Sequence, residues 1–578
     1  MLDAVIRGGD VIDGTGAARY RADVGIEDGR IVAIGTIDAS RVGADTTVID
    51  ATGKLVAPGF IDVHTHFDAQ IFWDNALTPS PLHGVTTVLA GNCGFTIAPL
   101  SGAADDADYL LRMLARVEGM PVESLQTGVP WNWKTTAEYF DEIEKGGLGP
   151  NAGFMIGHSA IRRTVMGADA STRAATPDEL EQMKQLLRDG LSAGGFGFSS
   201  SWARTHNDSE GAMVPSRYGT SDELVELARV TGEYEGTSLE LIPQVGPKFD
   251  QWAIDLMTDM SVAAQRPLNW NVMTVSAANL ADCQRKLDAA DYAKAKGGKI
   301  IALTIPMSFG VRLSFASGFV LDAMPNWEQA MLLPRAEKLA LFKDPARRAQ
   351  LDADAQRMDN PMRMIADWGN KVIFDVVAPE NEPYRGRLVR DIANEQGRDP
   401  WNVLCDIAVA DELLTNFGSP VAPETDADWQ ARLDVWRDPR AVIGASDAGA
   451  HLDLLASFNY ATELLGKAVR QRQLLTFEEA IHLMTDVQAQ MYGLRERGRL
   501  VEGWHADVIV IDPETVASHA VAMRVDLPGG AARLYAEADG IDHVLVNGES
   551  IVRDGALTSA RSGTLLRAGR DSANPSMA

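Results

Sequence analysis

Short apolar runs separated by Gly-Asp, Asp-Gly and Gly-Lys pairs fill residues 1–57: "AVIRGGDVIDG", "ADVGIEDGRIVAIG" and "TTVIDATGKLVAPG". Pairs of this kind turn hairpins, so the segment is predicted to form short strands. The same texture returns in "GRLVEGWHADVIVIDPETV" and "GIDHVLVNGESIVRDG", where Asn547-Gly548 is a strong hairpin signal. The two pieces, 1–57 and 495–560, are expected to pair into one small β-sandwich built from both chain ends. Between them the pattern changes. Apolar runs alternate with stretches of helical periodicity, which predicts βα units and a parallel sheet.

Eight such runs can be counted: "GFIDVHTH" at 59–66, "GVTTVLAG" at 84–91, "AGFMIGH" at 152–158, "GFGFSS" at 195–200, "SLELIPQ" at 238–244, "PLNWNVM" at 267–273, "KIIALTI" at 299–305 and "AVIGASD" at 441–447. A helix such as "TPDELEQMKQLLRDGLSAG" has Thr176 and Asp178 at its start and Gly194 past its end. The fold class expected is α/β: a (β/α)8 TIM barrel over 58–494, with its active site at the C-terminal strand ends. Residues 306–440 are too many for a plain loop and are expected to form an insertion, placed as a lid over the barrel mouth. The tail after about 560 is expected to be loosely ordered or to wrap the surface.

Composition narrows the class. The chain has 578 residues, 46% of them hydrophobic, enough for a large core and more than one domain. Its formal charge of −27 should repel nucleic acid and anionic membranes. No run of about 18 apolar residues suggests a membrane span, and the opening stretch lacks the charged-then-apolar pattern of a signal peptide. Three cysteines, an odd and sparse set, do not suggest a disulfide framework. A cytoplasmic enzyme acting on a small molecule is expected, and a homo-oligomer, since symmetric dimers are common.

The chemistry is carried by strand ends. In a strand, residues two apart share a face, so His64 and His66 converge, with Asp62 on their side and Val63 and Thr65 opposite. The second strand ends in "LAGNCGF", which brings Cys93 to the same rim, and the last in "GASDAGAH", which brings Asp447. Two imidazoles, a thiolate and a carboxylate suit zinc. Each residue also has a plain reading: surface histidines, an inert buried thiol, and an aspartate that only caps its turn.

Taken in order, "PGFIDVHTH", "GVTTVLAGNCGF", "GHSAIRRTVMG", "IGASDAG" and "LVEGWHADVIVIDP" resemble the amidohydrolase superfamily, and within it the N-acyl-D-amino-acid deacylase branch, of which the cysteine after the second strand is a mark. The resemblance spans about residues 4 to 555. It implies a metal-dependent hydrolase that cleaves the non-peptide C–N bond of an N-acyl amino acid or related small amide. By the same resemblance His64, His66 and Asp447 match the family's first metal position, and Cys93 is shared between positions. Asp447 also serves as general base on the metal-activated water. Lactone, carbamate or cyclic-amide hydrolysis is the alternative within the superfamily; a ligand-binding member without catalysis is the alternative outside it.

The sequence departs from the branch in three places. Its members carry a histidine on the fifth strand and another on the sixth, and those two, with the cysteine, hold a tightly bound zinc. Here the strands read "GTSLELIPQ" and "PLNWNVMTV". The His-Pro-Arg that often follows the catalytic aspartate, whose arginine holds the substrate carboxylate, is replaced by "HLD" at 451–453. One zinc ion is therefore expected, with a second left open. Glu240 could stand in for an imidazole or pair with an arginine, and Asn269 and Asn271 share a face of the sixth strand. His158, His206, Arg204 and His451 are the remaining candidates for contacts to substrate or for support of the metal ligands.

Overall fold

Two parallel sheets carry the central strands in the computed structural model, which describes every residue except Ala103, Glu210, Phe309, Phe319 and Pro361. One sheet holds Phe60–Asp62, Val85–Ala90 and Asn151–Phe154 in that order. The other runs from Ile156–Gly157 through Gly197–Ser201, Ser238–Ile242, Leu268–Met273 and Ile300–Thr304 to Ala441–Ile443. All eight expected runs contain strand, but regular pairing stops before the polar ends, where the functional side chains begin. Individual hydrogen bonds pass between the two sheets at two places. Met155 interrupts the third run, its N–H bonding to Ala90 while Phe196 N–H bonds to Phe154. Thr65 and Ala448 form a parallel bridge, flanked by Asp447 N–H to His64 O at 3.1 Å and His66 N–H to Ala448 O at 2.7 Å.

Helices cover the outer faces because their apolar residues repeat at helical spacing. Pro177–Ser192 starts at a capping box between Thr176 and Glu179, with proline in its first turn where no N–H is needed. Its buried Met183, Leu187 and Leu191 join Leu224 and Leu227 of Ser221–Thr231 against strand residues Ile156, Phe198, Leu239 and Leu268. Each such side chain, fully buried, contributes about 1.5–3 kcal/mol.

The chain ends join in a single nine-stranded sheet. Leu55–Pro58 pairs antiparallel with Val508–Ile511, and Ile541–Val546, Glu549–Arg553 and Ala556–Leu557 extend the sheet outward. The turns obey the predicted chemistry: Asp28-Gly29, Asn547-Gly548 and Asp554-Gly555 all have positive φ at both residues, as type I′ hairpins require. The tail is firmly packed. Leu565 and Leu566 are buried, Leu566 N–H bonds to Ala152, and Ser572 Oγ donates to Gly236 O at 2.7 Å.

Residues 306–440 contain a separate core around Phe315, Trp327, Phe342, Trp368, Trp401 and Phe417, with a three-stranded sheet of Arg312–Leu313, Asn416–Gly418 and Val372–Asp375. This core packs on Leu454, just beyond the last central strand. Lys338 is 4% exposed within it. Burial, only partly opposed by Glu123, Asp453 and Asp322, pulls its pKa down to about 8. The unfolded chain holds that proton to about 10.4, so between these values it binds more protons than the folded chain and stability rises with pH. We predict that Lys338→Met removes an increment of up to about 3 kcal/mol across this window. Urea unfolding of both proteins at pH 8 and pH 10 checks this, and equal slopes would refute it. Among the described residues, no helix is long and apolar enough to cross a membrane.

Candidate metal centre

The turn after Val85–Ala90 places the thiol. Gly91, Cys93 and Gly94 all have left-handed backbone, Cys93 at φ 58°. Such a conformation costs a non-glycine residue on the order of 1–3 kcal/mol and persists where surrounding contacts enforce it. A Cβ on Gly91 would meet Met155 O at 2.6 Å, so the glycine is required for close approach as well as for its φ. Cys93 N–H donates to Glu240 Oε2 at 2.7 Å, and Gly94 N–H to Ser199 Oγ at 3.1 Å. The turn is thus tied to the fourth and fifth strands. Asp447 and His451 also have positive φ, at 55° and 49°.

These turns bring together side chains from three strand ends. Cys93 Sγ lies 3.5 Å from His64 Nε2 and 3.8 Å from His66 Nε2. The three ligand atoms are within 4.8 Å of one another, and all three residues are buried. Asp447 Oδ1 lies 3.4 Å from His64 Nε2 and 3.2 Å from His66 Nε2. Ligands at about 2.0–2.3 Å from zinc in a tetrahedron stand about 3.3–3.6 Å apart, so these spacings fit a zinc ion. The imidazoles converge as the two-residue spacing predicts, with ring centroids 5.2 Å apart, although His64 and Thr65 lie past the end of the regular strand.

Carboxylates dominate the electrostatics. Burial alone would pull His66 down, but Glu118, Asp447 and Asp68 outweigh it and hold the imidazole up at about 9. Burial would push Asp447 up, but the two histidines hold its carboxyl well below the usual range. Burial pushes Glu240 up to about 8 despite the bond from Cys93 N–H. Glu240 Oε1 and Asn271 Oδ1 are buried without a hydrogen-bond partner. The Glu240 carboxylate meets the cysteine turn, and among the described residues no arginine lies within ion-pair distance of it.

The group opens into a cavity of about 480 Å3 whose wall includes His66, Cys93, Asp447, His206, His451, Glu118 and Asn271. His206 accepts or donates at Nδ1 to Ser201 Oγ at 2.6 Å and packs edge-on to Phe95, and burial pulls its pKa down to about 3. His451 Nε2 is 3.9 Å from both Asp447 Oδ2 and Glu118 Oε2. The other candidates stand apart from the wall. His158 is buried with both nitrogens engaged, Nδ1 by Ser200 and Nε2 by Glu223 at 2.8 Å each, in a network that Arg162 completes. Asn269 Nδ2 donates to Leu239 O and to Tyr492 OH, both at 3.1 Å. Arg204 is exposed, outside the cavity lining. Among the described residues, none of 306–440 lines the cavity.

Sequence reasoning missed Glu118. It follows the helix Ala104–Val117, and its Oε1 is 3.5 Å from His66 Nδ1, an ion-pair distance without hydrogen-bond geometry. Nothing in "RVEGMP" marks a glutamate that reaches a distant strand end. Asn271 was singled out only by its strand face; its Nδ2 lies 3.0 Å from His64 Nε2 and 3.7 Å from Cys93 Sγ.

Comparison with known proteins gives a consistent picture. The model of the amidohydrolase family matches residues 47–552. An N-acyl-D-glutamate deacylase of Alcaligenes xylosoxydans xylosoxydans is 29% identical over 98% of this chain and 96% of its own length. A D-aminoacylase of the same organism is 26% identical over 98% and 97%. The crystal structure of N-acyl-D-glutamate deacylase from Bordetella bronchiseptica, complexed with zinc and a phosphonate mimic of the tetrahedral intermediate, superposes with a TM-score of 0.64 at 26% identity, covering 98% of this chain and all of that one.

Proposed function

The chain belongs to the amidohydrolase family, and on that premise we propose that it hydrolyses the C–N bond of an N-acyl amino acid or a closely related small amide. The observation that carries the reading is the convergence of His64, His66, Cys93 and Asp447 at one end of a cavity sized for a small molecule. We also infer that the two parallel sheets close into one eight-stranded barrel; the hydrogen bonds at Met155 and at Thr65–Ala448 support it.

His64, His66, Cys93 and Asp447 would hold one zinc ion. The position that the family fills with fifth- and sixth-strand histidines has Glu240 and Asn271 nearby instead. When bound, zinc polarises the scissile carbonyl and lowers the pKa of water. Asp447 is the general base. It lines the cavity, with Oδ1 against both imidazoles and Oδ2 3.9 Å from His451 Nε2. It takes the proton as a water oxygen bonds to the carbonyl carbon, then passes it to the nitrogen as the C–N bond breaks. The products are a carboxylic acid and a free amine. Glu118 orients His66 through the ring nitrogen that faces away from the ligand group.

Supports of this kind change metal affinity by about 10–100-fold. We predict that Glu118→Gln weakens zinc binding by this factor, measured by competition with a chromogenic chelator; unchanged affinity would remove Glu118 from the site. The reading as a whole is tested by amine release from a panel of N-acyl-D- and N-acyl-L-amino acids. Turnover that a chelator stops and zinc restores is expected. Release that continues without metal would overturn it.

A further inference from the structure

The helix Leu280–Ala295 brings a lysine to the cavity wall. Lys286 is the only lysine or arginine among the described lining residues. Its ammonium group stands over the rings of Phe249 and Trp270, 5.8 and 6.0 Å from their centroids. Among the described residues, no carboxylate lies within ion-pair distance of it, and the neighbouring Asp282 is taken by Arg285. The ammonium group is half-buried, and Asp282 acts on it only from beyond ion-pair distance, in a chain with 80 acidic and 53 basic residues. Of the other lining groups, Glu118, Asp447 and Asp282 repel an anion, His66 stands among carboxylates at the ligand group, and Gln244, Asn279 and Thr274 can donate to an anion.

We propose that Lys286 is the anion-binding residue of this cavity and selects amides that bear a carboxylate. The inference rests on the amide-hydrolase reading and narrows its substrate class. Apart from the metal-ligand group, a carboxylate entering the cavity meets its cation at Lys286, and the aromatic rings beneath the ammonium group hold that cation in place without neutralising it. Lys286 therefore takes the part that the absent arginine after Asp447 leaves open, from the helix Leu280–Ala295.

The test pairs racemic N-acetylglutamate with its neutral diamide, which is nearly isosteric. The kcat/KM of each is measured on the wild type, Lys286→Met and Lys286→Arg. Binding of each is measured by calorimetry on an Asp447→Asn background, where turnover does not interfere. A charged hydrogen bond is worth about tenfold to a hundredfold in preference for the acid. Lys286→Met should reduce that preference to within about twofold, and Lys286→Arg should keep most of it. General misfolding would lower both ligands together and leave their ratio alone. A full preference retained by Lys286→Met, or equal binding of acid and diamide by the wild type, would overturn the proposal. Preferential binding of the acid with hydrolysis of neither compound would leave the anion site standing and refute the hydrolase reading.

Discussion

Asp447→Asn is expected to lower kcat by about a hundredfold to ten-thousandfold while the protein remains folded and retains metal. Among the described residues, this carboxylate is the one with an oxygen against both imidazoles, and its other oxygen lies 3.9 Å from His451 Nε2. An asparagine keeps the shape and a coordinating oxygen but cannot carry the proton from water to the leaving nitrogen. The change should appear in kcat more than in KM, because proton transfer is lost from the transition state rather than contact from the ground state. A fall of a thousandfold corresponds to about 4 kcal/mol of barrier. Residual activity near that of the wild type would show that another group, His451 or Glu118, performs the transfer.

Cys93→Ala is expected to cost more in metal than in fold. The Cys93 sulfur lies within 3.8 Å of both imidazole nitrogens, and its replacement leaves only nitrogen and oxygen ligands. Since changes to groups behind the ligands already cost about 10–100-fold, loss of a direct ligand should weaken zinc binding by more than about a hundredfold. The backbone should barely respond: alanine meets the same left-handed strain at φ 58° as cysteine, and the N–H bond to Glu240 needs no side chain. Zinc affinity with circular dichroism on the same samples checks both halves. Unaltered zinc affinity would return Cys93 to the status of an ordinary buried thiol.

The elements that hydrophobic patterning places well are those whose pattern is locally decided. The eight central runs, the helix starting at Thr176 and the Asn547-Gly548 turn all follow from period, cap and turn chemistry. The ligand group was legible for the same reason: strand order puts the ends of the first, second and last runs side by side, so His64, His66, Cys93 and Asp447 needed no knowledge of loops. Glu118, just past the helix Ala104–Val117, and Lys286, on the helix Leu280–Ala295, reach the strand ends through tertiary packing, and no local rule marks them. His158 shows the converse. Its place at the end of the third run suggested the cavity, yet the buried Glu223 and Arg162 draw its ring into a closed ionic network instead. The tail from Leu565 onward reads as polar and weakly patterned, and only the grooves beside Ala152 and Gly236 explain its order.

X-ray absorption at the zinc edge on the purified protein tests whether a single zinc ion is held jointly by Cys93 and the two histidines. About one zinc per chain is expected, with a shell of one sulfur near 2.3 Å and nitrogen or oxygen ligands near 2.0–2.1 Å. A shell without sulfur, or protein that binds no zinc when it is supplied, would contradict it.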